Sequence, residues 1–360
     1  MLSALTRLFN RRPNKPDFVR KLLANLERRG APAFVYQPDQ DCLVHGEGTY
    51  QLGNAYLRYS QAESADRPAL LEHFTTSVME TLDPPPRIWA VAKQRIVPLV
   101  RNGAMLDLMR FGADAGFAAG PALPFGEDLE PLQINFGIDN QASVAHVSAE
   151  LFETWSQPKD VLLSEAISNL SRMVEWEWAE ASPGAFVLHA NEYVECLPLL
   201  PQFVQSLPFA DRTVLAMPCR GHVLACDGSN DSLIVELCSA AEQRMRDLPW
   251  PLTERLIRHV DGAWRPYRPT SPAAQRAVDR LTRIGQLGDY SAQQEALEAA
   301  VAAREEDIFV ASYTLTELDI EGQSVARSYC VWTEEVDSLL PMTDVVAFVA
   351  ETAPLAEKPI

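Results

Sequence analysis

The sequence predicts an α+β fold: helix–strands–helix modules with antiparallel or mixed sheets, then a C-terminal helical pair with a β-hairpin. Three observations carry this. The first is the stretch 211–246, where apolar runs at 213–217 and 222–226 flank a tight Cys219-Arg220-Gly221 segment, the pattern of a β-hairpin. Gly221 supplies the positive φ that such a turn needs. A polar loop at 227–231 then leads to a helical pattern over 232–247, with Leu233, Val235, Leu237, Ala240 and Met245 placed to cover the hairpin. The second is that the order helix, strands, helix occurs around residues 17–82 and again around 160–247. The third is bulk composition: 360 residues with 47% apolar and 22% charged side chains make an ordinary globular chain of two or three domains.

In chain order, residues 2–9 form a short amphipathic turn ending at Arg11 and Arg12, and Asp17 reads as the N-cap of a helix with the stripe Phe18, Leu22, Leu23, Leu26 that stops at Gly30. Short strands are expected at 33–36 and 42–45, and a longer one at 50–59. A helix over 67–82 halts at the prolines 84–86. A strand at 95–101, a helix at 105–110 and a Gly/Ala/Pro loop at 112–124 follow. Strands at 132–138 and 143–148 form a hairpin around 139–142. A short helix at 150–155 precedes one capped by Asp160 and running to about Trp178. After a strand at 185–189, a part-helical run at 193–207 and the 211–246 unit, Trp264 lies in a last strand at 257–265. Beyond it, helices at 275–286 and 291–304, a long hairpin at 308–318 and 324–333, and a buried-looking strand at 344–349 are expected. These breaks divide the chain into 1–86, 87–268 and an acidic 269–360.

The net charge is −18, yet residues 1–30 alone carry +6, with eight basic and two acidic side chains. Residues from 269 onward carry six basic and sixteen acidic side chains and no histidine. So acidic a body is a poor fit for nucleic acid, whose phosphates require Lys and Arg. It fits a protein partner with a basic surface, a cationic peptide or simple solubility. No apolar run approaches the ~18–20 residues of a membrane span, and the N-terminus lacks the layout of a signal peptide. Six scattered cysteines suit reduced thiols. The expectation is a cytoplasmic protein.

Asp139, Trp155, Leu163, Ala166, Asn169 and Leu170 follow an Asp…Trp…Leu-x-x-Ala-x-x-Asn-Leu pattern. In this the chain resembles the YtpQ-like bacterial proteins, an intracellular family of unassigned function. Pro218, Cys219, Arg220, Gly221, His222, Val223 and Leu224 are similar to that family's Pro-Asn-Arg-Asp followed one position later by two apolar residues. Leu52, Asn54, Tyr56 and Tyr59 match its N-terminal layout. The likeness runs from about residue 17 to 268. Cys219 and Gly221 stand where the family has Asn and Asp, and Leu197 falls at its basic position ahead of Leu199, Leu200 and Pro201. The resemblance implies an intracellular α+β protein in which Arg220 is the retained polar residue; it implies no reaction.

Chemistry-bearing patterns are sparse. Cys219, His222 and Cys226 hint at metal ligands, but zinc knuckles space their cysteines more closely, and buried cysteines in strands are common. A Cys219–His222 nucleophile pair lacks an orienting group and an oxyanion hole in the pattern. Single histidines at 45, 73, 146, 189 and 259 read as hydrogen-bonded or surface residues. The Gly46-Glu47-Gly48 run precedes no phosphate-loop helix, and no cofactor motif is present. Glu127 to Glu130 reads as a solvated face, and Trp176, Trp178 and Trp332 as core residues or partner anchors. Two readings follow. One is a non-catalytic interaction or adapter module with an acidic surface. The other is an enzyme or small-molecule binder with a polar site on the 218–227 hairpin, built from Arg220, His222, Asp227 and Asn191.

Overall fold

The computed structural model describes residues 13–46, 48–112, 120–140, 142–320 and 323–350. The N-terminal turn read at 2–9 and the Arg11-Arg12 pair lie outside them. The chain divides into two compact units, residues 1–96 with 137–146 and residues 97–136 with 147–360. Both are α+β.

In the first unit, helix α1 (Lys15–Arg28) begins at Asn14, whose side chain accepts a hydrogen bond from the Asp17 amide at 2.8 Å. Asp17, expected as the cap, sits instead in the first turn and pairs with Lys21 at 2.8 Å. Gly30, at φ +74°, ends the helix. Strands β1 (Val35–Gln37), β2 (Cys42–His45) and β3 (Gly48–Gln51) make an antiparallel meander. The long strand expected at 50–59 is a correction: its second half is helix α2 (Gly53–Gln61). Leu52, Ala55 and Tyr59 are buried at helical spacing, so packing overrode the β propensity of the tyrosines. Helix α3 (Arg67–Glu80) and the short α4 (Trp89–Ala92) follow. The Phe18 ring anchors the core, 4.9 Å from Tyr59 and 6.1 Å from Phe74.

The second unit is built on strands β8 (Trp176–Ser182), β9 (Ala185–Ala190), β10 (Thr213–Cys219), β11 (His222–Asp227), β12 (Leu256–Val260) and β13 (Ala263–Pro266). They form one antiparallel sheet in the order β13-β12-β10-β11-β9-β8. Both faces are covered, which is why all seven residues of β10 are buried. Leu215, Met217, Val223, Ala225, Ile257 and Trp264 point into one core with Phe203, Leu200 and Leu170. Val214, Ala216, Leu224, Cys226 and Leu256 point into the other. That second face is covered by a helix at Asp231–Asp247 through Leu233, Ile234, Leu237 and Cys238. Its cap is Asn230, which accepts from the amides of Ser232 and Leu233 at 3.0 and 3.4 Å. The hairpin-and-helix unit read from the sequence is therefore present, with Ile234 rather than the exposed Val235 on the covering face.

Three further expectations are corrected in this unit. The helix begun near Asp160 (Lys159–Met173) stops at Met173, and Trp176 and Trp178 lie on β8, paired with Ala190 and Leu188 of β9. The single strand expected at 257–265 is the pair β12 and β13, turned at Asp261 (φ +51°) and Gly262 (φ +83°). The two helices expected at 275–286 and 291–304 are one 32-residue helix, Pro272–Ala303.

Strand β4 (Ile96–Asn102) leads into a helix at Gly103–Gly112 and shares a sheet with β6 (Leu132–Asp139) and β5 (Leu123–Pro124). The far end of β6 pairs with β7 (Val144–His146), the hairpin expected around 139–142. C-terminal to the long helix, β14 (Phe309–Val310) runs parallel to β17 (Ser338–Leu339). Strands β15 (Thr314–Ile320), β16 (Gln323–Thr333) and β18 (Val345–Val349) form a mixed sheet in which β16 pairs with both neighbours. The 344–349 strand, expected to be buried, is largely exposed at the sheet edge. Its apolar character reflects an uncovered sheet rather than a core.

Candidate functional site

A two-residue turn, Arg220-Gly221, joins β10 to β11 with Cys219 paired to His222. Gly221 takes φ +77°, a region an L side chain enters only under strain. The turn is pinned by a residue that the sequence reading passed over. Glu195 lies in a 3-10 helix (Val194–Leu199), 6% exposed, and accepts a hydrogen bond from the Gly221 amide at 3.0 Å through Oε2. Its Oε1 faces two guanidinium groups. Arg101, itself buried near the end of β4, donates through Nη1 at 3.3 Å, and Arg220 Nε stands 3.6 Å away. Arg101 Nη1 also donates to the Val100 carbonyl at 2.7 Å. The Arg220 guanidinium lies over the Trp250 ring at 4.8 Å, and its backbone amide donates to the Trp250 carbonyl at 3.1 Å.

Electrostatically this is one carboxylate between two cations. Burial, then the neighbouring Arg220, makes the Arg101 charge harder to hold, and Glu195 works the other way. His222 is half-buried on the same rim, and burial followed by Arg244 lowers its pKa against the opposing pull of Glu195. His222 is thus biased toward the neutral form.

Of the four residues expected to share a polar site, Arg220 and His222 meet around Glu195, and the other two are placed elsewhere. Asp227 ends β11 five residues on, about 16 Å along an extended strand. There its Oδ1 accepts from the Ser229 amide and hydroxyl at 3.0 and 2.8 Å, and its Oδ2 pairs with Arg212 at 3.2 Å. Asn191 closes the turn after β9, donating to the Met173 carbonyl at 3.0 Å and accepting from the Glu175 and Glu192 amides at 3.1 and 2.9 Å. Both are tied into local turns. The sulfurs are placed apart too. Cys219 Sγ donates to the Arg244 carbonyl at 3.4 Å, while Cys226 lies in the layer with Cys238. Burial pushes the thiols of Cys219, Cys226 and Cys238 up to about 11, 12 and 12, so the thiolate needed for metal ligation or nucleophilic attack is disfavoured. Among the described residues no three of His, Cys, Asp and Glu stand close enough to hold a metal ion.

A second surface lies at the far end of the C-terminal sheet. Trp332, Val346 and Phe348 share one face of β16 and β18 and are 44%, 47% and 55% exposed, with the Trp332 and Phe348 rings edge to face at 5.5 Å. Two acidic loops border this end, Glu305-Glu306-Asp307 and Glu334-Glu335 with Asp337, all exposed. They are held side by side by the β14–β17 ladder, where the Phe309 amide donates to the Asp337 carbonyl at 2.8 Å, and by the Glu334 amide donating to the Val349 carbonyl at 2.9 Å. Among the described residues no helix is long and apolar enough to cross a membrane. No family model, curated protein or solved structure matches the chain.

Proposed function

We propose that this chain is a non-catalytic interaction module, a cytoplasmic adapter of YtpQ-like kind, whose docking surface is the acidic, apolar end of the C-terminal sheet. The observation that supports this most is the coincidence of the exposed Trp332–Phe348 ring pair with six exposed carboxylates on the two bordering loops. Exposed aromatic side chains at a sheet end are the anchors that dominate binding energy at interfaces. The carboxylates select the partner: an extended segment carrying both basic and apolar side chains, its charges facing the loops and its apolar groups covering the rings. A second copy of this chain would bring the same acidic loops against each other, and like charges disfavour that pairing.

A photo-crosslinking amino acid at Phe348, with a control at the exposed Val235 on the Asp231–Asp247 helix, tests the reading in the host cell. The expected result is one adduct specific to position 348, formed through a basic and apolar segment and lost when Glu305, Glu306, Asp307, Glu334, Glu335 and Asp337 become amides. The same adducts at both positions, or a 348 adduct indifferent to the amides, overturns it.

A further inference from the structure

The hairpin-tip cluster holds more donors than acceptors. Glu195 Oε2 is taken by the Gly221 amide, and its Oε1 is shared at 3.3 and 3.6 Å between two guanidinium groups, both long for a charge-assisted bond. Among the described residues, Arg101 donates only to the Val100 carbonyl and Glu195. Among the described residues Arg220 also finds no side-chain hydrogen-bond acceptor, although its Nε is shut off from water. An N–H in that position without an acceptor is costly, while the rest of the Arg220 side chain, 36% exposed, keeps the cluster open to solvent and to a ligand. A purely structural clamp calls for one arginine. The second is held in place by stacking on Trp250 and by its own backbone bond to the Trp250 carbonyl. The cluster carries a local positive excess in a chain whose net charge is −18.

We infer that Arg101 and Arg220 form a binding site for a small oxyanion, a phosphate or carboxylate group, seated beside Glu195 and against the Trp250 ring. Two oxygens of such a group accept from the planar forks of both arginines, which supplies the missing acceptors and cancels the excess charge. Neutral His222 on the rim adds a ring that can donate a hydrogen bond without changing the charge balance. The site is independent of the sheet-end surface proposed above.

The full-length protein is titrated with inorganic phosphate and, separately, with citrate, by calorimetry and thermal unfolding against sodium chloride of equal ionic strength. Either anion is expected to raise the unfolding midpoint by several degrees at saturation, beyond chloride. A response to phosphate alone marks a phosphorylated ligand, and a response to citrate alone marks a carboxylate. Arg220→Gln is expected to weaken the binding at least tenfold, and Arg220→Lys to fall between, because a lysine keeps the charge and loses the fork. Arg265→Gln, which breaks an exposed pair with Glu127, is the control and should bind as the parent does. Equal midpoints in phosphate, citrate and chloride overturn the inference. So does an Arg220→Gln protein that binds as tightly as the control.

Discussion

Two charged clusters in the second unit use the same residue types to opposite effect. At the C-terminal sheet, Asp344 takes a two-pronged bond from Arg283, Nε to Oδ2 at 2.7 Å and Nη2 to Oδ1 at 2.9 Å. It also accepts from the Ser328 amide at 2.8 Å and the Ser328 hydroxyl at 3.0 Å. The Arg283 distances are short and the carboxylate is saturated, while a second cation, the exposed Arg327, stands farther off at 3.7 Å from Oδ1. This cluster bolts the long Pro272–Ala303 helix to the sheet. At the hairpin tip, Glu195 faces two cations at stretched distances and leaves the buried Arg220 Nε without an acceptor. A saturated network has no room for a ligand, whereas a network with surplus donors does. The distinction lies in donor and acceptor balance rather than in charge or burial.

The largest effect is expected where charge is buried deepest. Glu195→Ala leaves the Arg101 side chain, only 11% exposed, without its counter-charge and frees the hairpin turn. A loss of about 4 kcal/mol in urea unfolding is expected. Added phosphate should then stabilise the variant more than the parent, since the anion takes over the carboxylate's role. A loss under about 1 kcal/mol would place Arg101 in water and remove the contrast between the clusters.

Asp344→Asn is expected to cost about 2 kcal/mol at neutral pH, with no sensitivity to phosphate. Here pH gives a second readout. The Arg283 fork, opposed by burial and aided by Ser328, holds the Asp344 carboxyl far below its ordinary value of 3.8. A depressed carboxylate stabilises fully above its unfolded pKa and loses that contribution as pH falls below it. The gap between parent and variant should therefore be constant from pH 7 to about 5 and shrink below about 4. A gap that already closes near pH 6 would show that Asp344 is not the saturated anion.

How legible each region was depended on the range of its contacts. The hairpin at 213–227 and its covering helix were readable because alternation, Gly221 and the polar 227–231 loop act within a few residues. Glu195 was not, because its partner Arg101 lies 94 residues away. The available signal was a lone acid in the apolar run Val194 to Leu200, matched by an arginine closing the apolar strand Ile96 to Val100. The break expected within the C-terminal helix failed for a related reason. Glycine is a poor helix former, yet Gly285 and Gly288 both lie inside the continuous Pro272–Ala303 helix. Gly285 instead serves close packing: a Cβ there would meet the Glu254 Cβ at 2.6 Å. The apolar 344–349 strand misled in the other direction. Apolarity predicts that a surface will be covered, without saying whether its own chain or another covers it.

That close approach at Gly285 sets up a third cluster, with the balance reversed again. Glu254 and Asp289 are both half-buried, each raised mainly by burial, with the Glu254 charge also raising Asp289, and Asn102 Nδ2 donates to Asp289 Oδ1 at 3.5 Å. Here acceptors outnumber donors. Burial, then the Glu254 charge, pushes the Asp289 carboxyl up to about 6 from an ordinary 3.8. A carboxyl raised in the folded state has its stabilising effect intact below its unfolded pKa and loses it as pH climbs through the folded one. The parent protein therefore forfeits stability at this position between about pH 4 and pH 6. Asp289→Asn keeps an oxygen for Asn102 and removes the charge, so it is expected to raise stability by about 1 kcal/mol at pH 7. Its advantage should vanish near pH 4, the opposite slope to Asp344→Asn in the same urea series. A variant less stable than the parent at pH 7 would mean that the ionised carboxylate is held by a cation or donor, and that the acceptor surplus at Asp289 is satisfied from outside the chain.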